Sequence, residues 1–112
     1  MAEVRKILGH ADVAASTVVT AYDVPASTEA IVSSIVFCNR GTAAVLCAMV
    51  ITADYTGQPS DSYIYWDLAI PTDDTFVATI GITLSANDQI RVAGSSAAAS
   101  SVSVNVFGVQ IS

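Results

Sequence analysis

A chain of 112 residues has room for one domain, and at that size it buries roughly two-thirds of the surface its unfolded form exposes, so a core forms without disulfide or metal staples. Its composition is 53% hydrophobic and only 12% charged, against about a quarter charged in an ordinary soluble domain, and a surface so poor in charge expects neighbours. A net charge of -6, with Arg5, Lys6, Arg40 and Arg91 as the basic residues, lacks the clustered cations that phosphate contacts require, which excludes a nucleic-acid partner.

No apolar run approaches the ~20 residues of a membrane helix, since even the stretch from Ala43 to Ile51 is too short. Met1 to Ala15 does not read as a secretory signal, because Val4 and Ile7-Leu8 are brief and Gly9-His10-Ala11-Asp12 interrupts them. These features predict no membrane partner and assembly in a cytoplasm.

In chain order, residues 1–15 read as an N-terminal arm and residues 16–112 as the folded domain. Within the arm, Val4-Arg5-Lys6-Ile7-Leu8 has the pattern of one short strand, and its apolar pair is wasted unless it docks on its own domain or on a neighbour. Those five residues are candidate partner contacts. Thr17 to Val24 forms the next strand, stopped by Pro25, which has no N–H for a ladder.

Pro25 to Asp54 reads as a core hairpin around which the rest is arranged. Its first arm carries Ile31, Val32, Ile35, Val36 and Phe37, and its second carries Val45, Leu46, Cys47, Met49, Val50 and Ile51, with turn chemistry from Asn39 to Thr42 between them. Both arms are apolar on two faces, which predicts an opposing sheet on one side and another subunit on the other.

Tyr55 to Asp61 gathers Gly, Pro and Asp and reads as an exposed loop. Ser62 to Ile70 then alternates, with Ile64, Trp66, Leu68 and Ile70 expected inward, and Tyr63 and Tyr65 on the opposite face as further candidate contacts. Phe76 to Leu84 continues the period of two as one strand, Gln89 to Val92 forms another, and Val102 to Ile111 a last one, with a bulge expected at Phe107-Gly108. Seven or eight strands separated by Gly/Pro/Asp turns, with no helical period, predict an all-β fold: a single antiparallel β-sandwich of the jelly-roll or immunoglobulin-like kind.

Reactive chemistry is sparse. The single histidine, His10, lies on the arm without a nucleophile and orienting group at motif spacing, so no catalytic residue is assigned and no enzyme is expected. Cys38 and Cys47 are too few for a zinc site; they flank the expected hairpin turn, where a cross-strand disulfide is conceivable, but two reduced buried thiols are the better reading in a cytoplasm. Asp73, Asp74 and Asp88 match no calcium loop and read as turn formers. No metal or cofactor is expected.

Three segments, TAYDVPASTEAIVSSIVFCNRGTAA, DLAIPTDDTFVATIGITL, and SANDQIRVAG followed by VSVNVFGVQIS, resemble small β-rich structural proteins of tailed bacteriophages and prophages. In that family a Tyr-x-Val-Pro turn, a Val-x-Cys-Asn strand end, an Ile-Pro-x-x-Asp-Thr turn, a Gly-Ile-Thr-Leu strand and an Asp-x-Ile-Arg-Val return follow one another in this order. The resemblance spans nearly everything but the arm, and departs from many relatives in the short Tyr-rich middle segment. It implies a virion component, a capsid decoration (cement) protein or else a tail or head-tail accessory protein, assembled in the host bacterial cytoplasm. Its implied partners are copies of itself, as a dimer or trimer, and the major capsid protein or other virion proteins. A carbohydrate- or receptor-binding module using Tyr55, Tyr63 and Tyr65 is the alternative that the residues leave open.

Overall fold

The computed structural model describes residues 3–13, 18–52, 63–95 and 102–112, and the regular structure in them is entirely β-strand. Nine strands follow in order: β1 (Glu3–Val13), β2 (Val19–Asp23), β3 (Glu29–Asn39), β4 (Val45–Thr52), β5 (Tyr63–Ile70), β6 (Thr75–Ala78), β7 (Ile82–Leu84), β8 (Gln89–Gly94) and β9 (Val102–Ile111). They form two antiparallel sheets. Sheet A has the order β1-β9-β3-β6, with β7 also pairing β3, and sheet B has the order β2-β8-β4-β5.

The pairings β1 with β9, β2 with β8, β3 with β6 and β7, and β4 with β5 are nested, so the chain is one long hairpin rolled up on itself. Rolling brings β9 against β3 and β8 against β4, which closes each sheet. This is the jelly-roll form of the expected sandwich. An immunoglobulin domain keeps its first two strands in one sheet, whereas here β1 and β2 lie in different sheets.

The core hairpin expected between Pro25 and Asp54 does not form. β3 belongs to sheet A and β4 to sheet B, and they face each other across the core instead of pairing. The physical reason lies in Asn39, a buried polar residue at the end of β3. Its Nδ2 donates to the carbonyls of Ala43 (2.9 Å) and Ile70 (3.0 Å), and its Oδ1 accepts from the Gly41 N–H (2.9 Å). These bonds hold residues 40–44 as a crossover between sheets, tied to the end of β5, where a hairpin would need a tight two-strand turn.

Alternation fixes what each strand buries. From sheet A, Ala30, Val32, Ile35 and Phe37 of β3 and Val102, Val104 and Val106 of β9 point into the core; from sheet B, Val45, Cys47 and Met49 of β4 and Ile90 and Val92 of β8 meet them. Phe76 of sheet A packs edge-on against Tyr65 of sheet B, centroids 5.5 Å apart at 84°. Each large side chain so buried contributes roughly 1.5–3 kcal/mol relative to exposure.

Two register details differ from expectation. β9 alternates without a break through Phe107 and Gly108, and the bulges fall on its partners, between Val32 and Ser34 of β3 and between Ile7 and Gly9 of β1. Gly108 sits where β9 presses on β3: a Cβ there would lie 2.1 Å from the Ile31 carbonyl oxygen, so only glycine fits. The single strand expected from Phe76 to Leu84 is two short ones, because residues 79–81 loop past the bulge of β3.

The arm also proves to be part of the sandwich. Glu3–Val13 is a full edge strand of sheet A, paired along its length with β9, although the expected boundary at residues 15 and 16 lies outside the described residues. Gly9 explains the closure: its missing Cβ would stand 2.1 Å from the Ala21 carbonyl oxygen, so β1 bends onto β2 at the corner of the roll. The turns use the aspartates as read from sequence. Asp74 Oδ1 accepts from its neighbour Thr75 N–H (2.8 Å), and Asp88 Oδ2 accepts from the Ser85 N–H and hydroxyl (2.9 and 3.0 Å).

Candidate interaction surface

A strand in a two-layer sandwich buries alternate residues and shows the rest, so apolar residues at the outward positions remain uncovered. On β3 the outward residues include Ile31, Val36 and Cys38; on β9 they include Phe107 and Val109; on β6, Val77; and on β1, Ile7. The registers line these up in rows. Arg5, Val109, Ile31 and Thr83 form one row, Ile7, Phe107 and Ser34 the next, and His10, Asn105, Val36 and Val77 the one after. The outer face of sheet A is therefore an apolar band across all four strand positions, with Ile7 and Val77 each 54% exposed.

Charged residues edge this band at both strand ends. Glu3 and Glu29 lie in the row through Ile111. At the other end Arg40 donates to Asp12 Oδ1 and to Ser103 Oγ, both at 3.0 Å, fastening the β3–β4 crossover to β1 and β9.

The arm residues singled out from sequence divide among three environments. Arg5 and Ile7 lie on the outer face; Val4 and Lys6 alternate to the other side of β1 and are also exposed; Leu8 is the extra residue of the β1 bulge and turns into the core. Between β1 and β2 lies a shallow cleft of 530 Å³ whose lining includes Leu8, Gly9, His10, Tyr22, Asp23 and Gln110. Gln110 donates to the Tyr22 hydroxyl (2.8 Å). Burial raises the Tyr22 pKa, the Gln110 bond opposes that shift, and Asp23 adds to it.

A second apolar surface stands on sheet B, and it corrects the expected orientation of β5. Cys47 pairs with Leu68 and Met49 with Tyr65, so Trp66 and Asp67 together stand opposite Ala48. Asp67 takes φ 52°, a left-handed conformation that aspartate tolerates better than most residues. The bulge reverses the alternation as far as Tyr65, and a second register shift, between Met49 and Val50, returns Tyr63 to the outer side. Leu68 and Ile70 point inward as expected, Tyr65 packs against the core instead of facing outward, and Trp66 is 68% exposed instead of buried. The indole meets Tyr63 edge-on at 4.9 Å and 88°, and both line a groove of 290 Å³ with Leu46, Asp67 and Ser95. Tyr55 lies outside the described residues.

The groups able to do chemistry are apart. Cys38 lies half-buried on sheet A and Cys47 is buried in the core from sheet B; both are free, and without a hairpin they are not cross-strand neighbours. Burial pushes the Cys47 thiol up to about 11. His10 on β1 is separated from Cys38 on β3 by β9 and by one row along the strands, which puts them farther apart than the roughly 10 Å of two strand spacings. Among the described residues no three His, Cys, Asp or Glu side chains stand close enough to hold a metal ion. Sequence reasoning missed Trp66, and the signal available was Asp67, a residue tolerant of positive φ inside an otherwise apolar strand. No protein-family model matches the chain, and no curated protein sequence matches it.

Proposed function

We propose that this protein is a non-enzymatic structural component of a virion that decorates the capsid exterior, with copies of itself and the major capsid protein as partners. One observation carries the reading: a single small sandwich bears two apolar surfaces, the band on sheet A and the Trp66–Tyr63–Leu46 patch on sheet B, which face away from each other. A lattice component must touch more than one neighbour, and contact faces on opposite sides meet that need. The phage resemblance supports it, as does the recurrence of the jelly roll among viral capsid proteins. Net charge -6 suits a protein on the outside of the shell, away from packaged nucleic acid.

A second reading, carbohydrate or receptor binding, draws on Trp66, whose exposed indole beside Asp67 offers a stacking surface with a polar neighbour. The deciding experiment adds labelled protein to phage particles lacking it. Binding over the head surface, lost with Trp66→Ala, is expected. Labelling confined to tails would move the protein to a tail accessory role, and glycan binding without particle binding would replace the proposal by the second reading.

A further inference from the structure

We infer that the outer face of sheet A is the contact between two copies of this chain, packed sheet on sheet about a two-fold axis that runs across the strands. This names the surface and geometry of the self-association proposed above, and it holds or fails in solution, without any particle.

The extent of the band meets what a stable pair requires. Four strands spaced ~4.8 Å apart and about eight residues long at ~3.3 Å each give on the order of 500 Å² of sheet plane per copy. Two such planes already reach the ~1,000 Å² total of a specific interface, and side chains standing on a plane present more accessible area than the plane itself. The anatomy also fits: Ile7, Phe107, Val109, Ile31, Val36 and Val77 occupy the middle rows together with the polar Ser34 and Asn105, Arg5 and His10 stand on the β1 edge, Glu3, Glu29, Asp12 and Arg40 lie at the strand ends, and Thr75 and Thr83 line the β6–β7 edge.

Charge selects the axis. β3 carries Glu29 at one end and Arg40 just beyond the other, both on the outer side, where Arg40 reaches Ser103 and Asp12. A two-fold along the strands would set the acidic row of Glu3 and Glu29 on its own copy in the partner. A two-fold across the strands lays β3 antiparallel on β3 and brings Glu29 of each copy towards Arg40 of the other. Opposite charges at matching positions favour the second arrangement. Such packing is isologous and closes at two copies, leaving both Trp66 patches outward.

The test uses the full chain, purified alone. Sedimentation analysis from 1 to 200 μM is expected to show a dimer. Val109→Lys, an outward change checked for fold by circular dichroism and thermal melting, raises the dimer dissociation constant at least tenfold, while Trp66→Ala leaves it unchanged. Glu29→Gln weakens the dimer at low salt if β3 crosses β3 antiparallel, because Arg40 of the other copy loses its opposite charge, whereas against an acidic row the same change would strengthen it. A monomer throughout the range overturns the proposal, as does a dimer indifferent to Val109→Lys. A dimer sensitive to Val109→Lys that Glu29→Gln strengthens or leaves unchanged overturns the axis. Particle binding by a monomeric wild type would leave the virion reading standing while removing this one.

Discussion

The two apolar surfaces arise in opposite ways. On sheet A, β9 carries no inserted residue, the bulges falling on its partners β1 and β3, and apolar residues at the outward positions of these strands yield a broad band. On sheet B, β5 breaks its alternation at Asp67, and the break pushes one indole out of the sheet. A broad band suits sheet-on-sheet packing over a large area, and a protruding aromatic suits insertion into a partner's pocket, where tryptophan commonly concentrates binding energy. Area comes from the unbroken β9, and the anchor comes from the break in β5.

Five substitutions and a pH titration break or sharpen this contrast, the substitutions beginning with the largest expected effect. Phe37→Ala removes the largest fully buried side chain among the described residues, which should cost about 3–5 kcal/mol by denaturant unfolding and weaken both surfaces together, since both stand on the same core. Asn39→Ala leaves the carbonyls of Ala43 and Ile70 and the N–H of Gly41 without their partner. A loss of about 2–4 kcal/mol is expected, with protease sensitivity rising first in residues 40–44.

Gly108→Ala tests the regular side of the comparison. The added methyl must displace the β3 backbone at Ile31, at a cost of about 1–3 kcal/mol, and the band should distort with it, so dimerisation falls along with stability. Asp67→Val tests the irregular side. A β-branched residue at φ 52° costs on the order of 1–2 kcal/mol, and quenching of Trp66 fluorescence by iodide should fall as the bulge is lost, with sheet A association unaffected. Trp66→Ala itself should shift unfolding by no more than about 0.5 kcal/mol, because the indole is mostly exposed.

The last effect concerns pH. The Cys47 thiol rises from its ordinary 9.0 to about 11 in the folded protein, so above pH 9 the unfolded chain releases a proton that the native one keeps. Stability is therefore full below pH 9 and declines between pH 9 and 11. Cys47→Ala should remove the onset of that decline, leaving the later part to Tyr22, whose pKa burial also raises. In the native state a thiol reagent should modify half-buried Cys38 well before Cys47.

Most of the strands were legible because period-two alternation is a local property: β2, β5, β8 and β9 fall within a few residues of where their apolar residues and turn signals put them. The aspartate turns were legible for the same reason, since Asp88 needs only a neighbour three residues away. The failures are non-local. Val45 to Thr52 has the pattern of a hairpin partner for Glu29 to Asn39, and nothing within either segment says that Asn39 will bond Ile70, thirty-one residues on, and send the chain across to the other sheet. Of the candidate contacts, Arg5, Ile7 and Tyr63 have outward positions on their sheets, Val4 and Lys6 are exposed on the other side of β1, and Leu8 and Tyr65 do not stay outside, because single bulges turned each of them into the core.

By itself the sequence determined the class of fold, the density of apolar residues and the shortage of charge, because composition and short-range periodicity settle how much must be buried and in what kind of element. Only the tertiary structure decided which faces were left over. The order of strands in a roll depends on pairings between residues up to the full length of the chain apart, β1 with β9 above all, and one inserted residue in a strand reverses every side chain beyond it. The same apolar inventory could have been hidden in a hairpin. Rolled as a jelly roll and bulged at Asp67, it presents a band on one sheet and an indole on the other.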